Sequence, residues 1–327
     1  MKRVETDDLE SISSYKMVDA AVPRPLAQEV LVRIAACGIG YVDALEALGR
    51  YQVKPSLPHV PGQEVSGRIE AVGAEVSGLK VGDRVVTQIH GGFAELAVAP
   101  ATTVTRIPTT LDYVAAAGLK INFVTALHAL LDRGQLKSGE TLLVMGAAGG
   151  VGSAAVQVGK CVGAKVIAVA STPEKQRYAQ QLGADHVIGA DVETFREQVK
   201  ELCGQRGPNV VFDPICGPLF EPAFRSLTWG GRHLIIGFAS GSIPSLRANL
   251  PLLKGASLVG VDVRQFEIFE PDRAHQHLCD LLMWVDQGRL VPAVGREFAF
   301  EDYANALEFA LSGRGLGKTV LKIADLP

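Results

Sequence analysis

The 327-residue sequence has only five cysteines, Cys37, Cys161, Cys203, Cys216 and Cys279, and no two of them have CxxC spacing. An odd, scattered set of this kind argues against a disulfide framework and a thiolate metal cage, and is read as small reduced hydrophobes. No apolar run is long enough to span a bilayer, and no basic-plus-apolar signal opens the chain. Excess charge is lacking as well. Lys and Arg number 32 against 35 Asp and Glu, for a net charge of -3 and a pI near 6.2. There is thus no electrostatic footprint for nucleic acid or an anionic membrane, and the expected location is cytoplasmic.

What is present is a globular balance: 47% hydrophobic, 20% charged, and a length that suits two domains, each with its own core. The 35 glycines fall at strand ends and turns rather than in a low-complexity tract. The first third alternates on a two-residue period at Glu29 to Ala36, Ser66 to Val72, Asp83 to Ile89 and Phe93 to Val98, with one helical stretch at Tyr41 to Leu48. A small, curled antiparallel barrel fits that pattern. From about Leu111 the pattern changes. A helical segment over Tyr113 to Asp132 leads into apolar strands at Thr141, Lys165, His186, Asn209, His233 and Leu258 to Val263, with helices read between several of them. Near-continuous apolar strands alternating with helices predict an α/β fold, a doubly wound parallel sheet of the Rossmann kind. A tail with two helices and a strand at Thr319 to Ile323 does not extend the alternation and is expected to rejoin the first domain. The expected domains are therefore 1–112 with 268–327, and 113–267.

The strongest local signal is Gly146, Ala147, Ala148, Gly149, Gly150, Val151 and Gly152, set between a buried strand and a helix. Small residues are needed where the backbone approaches a pyrophosphate and where the helix meets the strand. Ala147, Gly149 and Gly152 supply an A-x-G-x-x-G version of the dinucleotide fingerprint. NAD sites place Asp or Glu at the end of the second strand to hold the ribose hydroxyls. This strand ends Val169, Ala170, Ser171, Thr172, without an acid. Ser171, Thr172, Lys175 and Arg177 then offer hydroxyls and cations to a 2′-phosphate, so NADPH is the expected cofactor. The plainer reading of Lys175 and Arg177 is a solvated first helical turn.

In combination the motifs resemble the medium-chain dehydrogenase/reductase superfamily, in its zinc-less quinone oxidoreductase branch. The resemblance runs through nearly the whole chain. It includes Cys37 to Ile39, Gly49 to Pro55 (GRYQVKP), Val60 to Glu64 (VPGQE), Val81 to Val85 (VGDRV), Gly146 to Gly152, Phe212 to Pro214, Gly230 to Arg232, Ile236 to Gly241, Asn249 to Lys254 and Gly317-Lys318. It implies a GroES-like β-rich catalytic domain wrapped around the Rossmann domain, cofactor contacts from Gly237, Phe238 and Lys318, and a homodimer paired through the sheet edge at Leu258 to Val263. Zinc-dependent relatives carry ligands at positions that match Gly40, Gln63 and Ile121, none of which is a thiolate or an imidazole. No metal is expected at those positions.

Without a Lewis acid the chemistry suits an acceptor whose reduction spreads negative charge, such as a quinone or an enone. Tyr51 matches a pocket tyrosine of the resembling enzymes and is read either as a hydrogen-bond donor to the acceptor or as a lining residue. Thr125 matches the residue that orients the nicotinamide, with helix packing as its alternative. Gln63 is open between a substrate or ribose contact and a structural hydrogen bond. Asp43 is read as a helix residue with a local polar role rather than as an acid catalyst, and Lys120 as a helix-edge lysine or a contact to an anionic substrate. A 2-enoyl thioester or 2-enoic acid reductase is the second enzymatic reading; an NADPH-binding redox sensor or structural protein with little turnover is the non-enzymatic one.

Overall fold

The computed structural model describes residues 1–204 and 206–326. The chain divides into two compact units, Met1–Ile121 together with the chain from Leu282 onward, and Asn122–Leu281. These junctions lie beyond 112 and 267, because the strand-free stretch after 112 belongs with the first unit and most of the helix Pro271–Asp286 with the second. No helix of the described residues is long and apolar enough to cross a membrane.

The second unit holds a six-stranded sheet in which every pair is parallel. The spatial order is His186–Ile188, Lys165–Val169, Thr141–Val144, Val210–Asp213, Arg232–Ile235, Ser257–Gly260. In sequence rank this is 3-2-1-4-5-6, the doubly wound order whose halves diverge from the first strand. Leu143, Ile167, Val169 and Val211 are buried, as are Phe195, Val199 and Phe224 of the helices packed with them. Two short helices escaped the sequence pattern, Phe220–Ser226 and Asn249–Lys254. Each contains a proline in its first turn, where the missing N–H costs nothing. The last strand is Ser257–Gly260 rather than Leu258 to Val263. The apolar run is cut because the Asp262 carboxylate accepts the Gln265 N–H at 3.1 Å and starts the helix Val263–Phe269. The expected single helix over Tyr113 to Asp132 is also interrupted. It comprises Tyr113–Ala116, Lys120–Leu127 and a wide π turn, His128–Arg133.

The first unit is a mainly antiparallel sheet ordered Val294–Ala299, Lys318–Lys322, Glu29–Ile39, Glu64–Val72, Arg84–Gln88, Thr105–Arg106, with Leu96–Pro100 also paired to Glu29–Ile39. Two register shifts bend the long strand Glu29–Ile39 against Glu64–Val72. Val30, Val32, Ile34, Val65, Ile69, Val85 and Phe93 fill the interior. The tail does rejoin this sheet. Lys318–Lys322 pairs antiparallel with Glu29–Ile39, and Val294–Ala299 adds parallel outside it.

A buried ion pair fastens the tail. Lys318 Nζ lies 2.8 Å from Glu64 Oε2, with side chains 3% and 0% exposed. Both flank Gly38, where a Cβ would stand 1.9 Å from the Ala117 carbonyl oxygen and 2.8 Å from Lys318 Cε. Only glycine admits the lysine stem there. Two ions without water cost several kcal/mol each, which the pair offsets only while both members remain. Lys318→Met is expected to lower the unfolding free energy by about 3–5 kcal/mol. Adding Glu64→Leu should recover part of that loss in urea titrations. A single-variant loss below about 1 kcal/mol, typical of solvated pairs, would contradict this account.

Candidate functional site

In the second unit the chain leaves Thr141–Val144 and turns through Gly146, whose φ of +59° lies in the left-handed region. A Cβ there would also meet Ile215 Cδ1 at 2.8 Å. Ala147 and Ala148 are buried, and the Ala147 N–H bonds the Val169 carbonyl at 3.1 Å, which ties the turn to the second strand. Gly149 is the extended N-cap of the helix Gly150–Cys161 and offers no side chain to its first turn. A Cβ on Gly152 would stand 2.2 Å from the Gly146 carbonyl, and one on Gly150 would stand 2.8 Å from Asn122 Nδ2. Glycine therefore lets helix and turn touch. The first-turn N–H groups of Gly150, Val151 and Gly152 stand at the positive end of a 12-residue helix, where negative charge is stabilised.

At the end of the second strand Ala170 is buried, and Ser171 and Thr172 are exposed. Thr172 caps the helix Pro173–Gln181, its Oγ1 accepting the Lys175 N–H at 3.3 Å. Its hydroxyl proton remains available as a donor. No carboxylate stands at positions 170 to 172.

The fourth strand adds a feature that sequence reasoning missed. Buried Asp213 accepts the N–H groups of Ile215 at 2.9 Å and Cys216 at 2.8 Å through Oδ1, and its Oδ2 faces His233 Nε2 at 3.1 Å. This holds Cys216 at φ +48° and sets Ile215 against the glycine turn. The only hint was the quoted Phe212 to Pro214 segment. Gly237 and Phe238 follow the fifth strand, with Phe238 40% exposed. Thr125 is buried on the helix Lys120–Leu127, which Lys120 opens.

In the first unit the positions that match zinc ligands gather around buried charge. The Gly40 N–H donates to Asp43 Oδ2 at 2.7 Å, and the Ile121 N–H donates to Glu64 Oε1 at 3.1 Å. Gln63 donates its amide to Glu46 Oε2 at 2.5 Å. A Cβ at Gly40 would lie 3.9 Å from Lys318 Nζ. The side chains there are the carboxylates of Asp43, Glu46 and Glu64 and the Lys318 ammonium, with no imidazole or thiolate from positions 40, 63 and 121. This set does not suit a three-ligand zinc site. Burial pushes the Asp43 and Glu64 carboxyls up, against the pull of Lys318. Burial alone would lower the Lys318 ammonium, but Glu64 and Asp43 hold it above its ordinary range. Asp43 Oδ1 is buried with no hydrogen-bond partner. Lys318, expected on the cofactor, thus has its ammonium on Glu64, and Asp43, read as merely local, joins this cluster. Tyr51 is half-buried in the bend after the helix Tyr41–Ala47, with the Gln52 amide 3.5 Å from its hydroxyl.

Known proteins share this architecture. Residues 26–109 match the alcohol dehydrogenase GroES-like domain, and residues 150–276 match the zinc-binding dehydrogenase domain. A quinone oxidoreductase-like protein 2 homolog of Nematostella vectensis is 36% identical over 297 residues, 90% of this chain and 81% of that protein. The Escherichia coli quinone oxidoreductase complexed with NADPH superposes with a TM-score of 0.90 at 26% identity, over 99% of this chain and 100% of the other. The CurK enoyl reductase superposes with a TM-score of 0.90 at 26% identity, over 99% of each chain. The fold, the dinucleotide turn and these likenesses agree on an oxidoreductase that uses a nicotinamide cofactor. The chain belongs to the medium-chain dehydrogenase/reductase superfamily, in its quinone oxidoreductase branch.

Proposed function

We propose that the chain is a cytoplasmic, zinc-independent reductase that uses NADPH to reduce a quinone or the activated double bond of an enone. The observation that carries the cofactor choice is the end of the second strand. Ala170 is buried, Ser171 and Thr172 present hydroxyls, and no carboxylate stands there to repel a 2′-phosphate. Gly146, Ala147, Ala148, Gly149, Gly150, Val151 and Gly152 hold the pyrophosphate against the helix terminus, and Lys175 meets the 2′-phosphate. Gly237 and Phe238 border the cofactor, while the Lys318 ammonium stays on Glu64. NADPH supplies the hydride.

With no metal ligand at positions 40, 63 and 121, charge developing on the acceptor falls to hydrogen-bond donors and to delocalisation in the acceptor itself. Tyr51 donates to the acceptor oxygen, Thr125 orients the carboxamide, and Gln63 contributes its amide dipole once released from Glu46. A 2-enoyl thioester or 2-enoic acid is the second acceptor class, favoured by the likeness to an enoyl reductase. Steady NADPH oxidation across a panel of quinones, enones and enoyl thioesters separates the two, and the reading fails if no member of the panel is reduced.

Two copies are proposed to pair through the edge strand Ser257–Gly260, which among the described residues has a neighbour on one side only; its Leu258 is exposed, as are Leu252 and Leu253 of the preceding helix. Light scattering at micromolar concentration should give twice the mass of the chain; a monomer would contradict the pairing. Lys175→Ala should raise the dissociation constant for NADPH and leave that for NADH nearly unchanged. Equal weakening of both would remove the phosphate role. Tyr51→Phe should slow single-turnover hydride transfer to a weakly activated enone on the order of 10²-fold, with NADPH binding intact. A full rate in that variant would assign the donor to water or to another side chain.

A further inference from the structure

The second unit contains a convergence of imidazoles on a carboxylate that the proposed reaction does not use. His128 opens the π turn His128–Arg133, and Asp132 lies four residues on. His277 comes from the helix Pro271–Asp286. Asp132 Oδ2 lies 2.7 Å from His128 Nδ1 and 2.8 Å from His277 Nε2, and the three atoms are all within 4.8 Å of one another. The side chains are only 7%, 8% and 11% exposed for His128, Asp132 and His277.

The surroundings orient each group. Arg273 Nη2 holds the other carboxylate oxygen at 2.5 Å, so Oδ2 alone faces the imidazoles. Phe266 stacks on the His128 ring with centroids 3.8 Å apart and tilts against His277 at 5.5 Å. Outer contacts of this kind, an aromatic wall and a charged donor on the second carboxylate oxygen, fix ligand geometry in metal sites. Single π turns also occur frequently at functional sites.

We propose that His128, Asp132 and His277 bind a divalent transition metal of the zinc, cobalt or nickel class, with water as the fourth ligand. Two imidazoles and one carboxylate favour these ions over magnesium or calcium, which take all-oxygen sites, and the lack of a thiolate disfavours copper(I). Binding replaces the two hydrogen bonds to Oδ2. Each ring then meets the ion through the nitrogen that had faced Oδ2, the proton on that nitrogen passing to the other one. Metal–ligand bonds of about 2.0–2.1 Å require ligand atoms roughly 3.3 Å apart. The nitrogen–oxygen contacts therefore open by some tenths of an ångström, and the two imidazoles close by rotation of the more exposed His277. Arg273 already neutralises the carboxylate, so the affinity is micromolar rather than the far tighter binding of four-ligand structural sites. The ion would clamp the π turn to the helix Pro271–Asp286 and take no part in turnover.

Cobalt(II) titration of the full-length protein tests this. Cys279→Ser is the background, because Cys279 Sγ and His275 Nε2 lie 3.5 Å apart on the same helix and would compete for the ion. A visible d–d band should saturate at a single equivalent, and zinc should raise the melting temperature. His277→Gln keeps an N–H for Asp132 but is a poor ligand, so its metal-free melting temperature should be unchanged and its cobalt affinity at least tenfold weaker. If that variant fails to fold, His128→Asn takes its place. The proposal is overturned if no band saturates in the parent, or if the parent and the folded variant bind cobalt equally.

Discussion

An ammonium buried against a carboxylate in a β-sheet interior forces many neighbouring choices. Lys318 reaches Glu64 only because Gly38 has no side chain, and Glu64 is shared because its second oxygen takes the Ile121 N–H. Asp43 adds a second negative charge and takes the Gly40 N–H. The helix entry at Gly40, the start of the strand Glu64–Val72 and the tail strand therefore meet at one electrostatic point. Breaking it leaves uncompensated charge without water, which explains why the tail cannot be an optional appendage.

The nucleotide-binding unit rests on steric rather than electrostatic exclusion. Gly146, Gly150 and Gly152 each occupy a place where a methyl group would strike backbone or side chain within 3 Å. The fourth strand braces the turn through Ile215, held in turn by Asp213. The shape of the glycine turn thus depends on residues more than 60 positions downstream, and a change at Asp213 would reach the turn through Ile215.

What the sequence made legible was local. The Gly146 to Gly152 turn, the apolar strands around it and the missing acid at Ala170 are each set by neighbours within a few residues, and the family resemblance rested on such segments. Short crossovers with internal proline, Phe220–Ser226 and Asn249–Lys254, were not legible because six or seven residues give no helical period. The strand Val294–Ala299 was hidden by its irregular register at Gly295, where a Cβ would overlap the Leu316 carbonyl oxygen, and by a largely exposed pattern. The Glu64–Lys318 pair spans 254 residues, so nothing in one sequence could join them. The same is true of His277 and Asp132, which are 145 residues apart.

The insertion of one unit within the other has a consequence during synthesis. The strand Glu29–Ile39 is made before the second unit, and its partner Lys318–Lys322 only after it. At about 5–20 residues per second, the ribosome leaves that strand edge unpaired for roughly 15–60 s. For the same interval Glu64 has no ammonium to face and must stay hydrated or take up a proton. The nascent first unit is then an open sheet with a wet seam, vulnerable to pairing with a neighbouring chain. The second unit is complete before that seam closes, and its folding shortens the search by replacing a long coil with a compact body between the two halves.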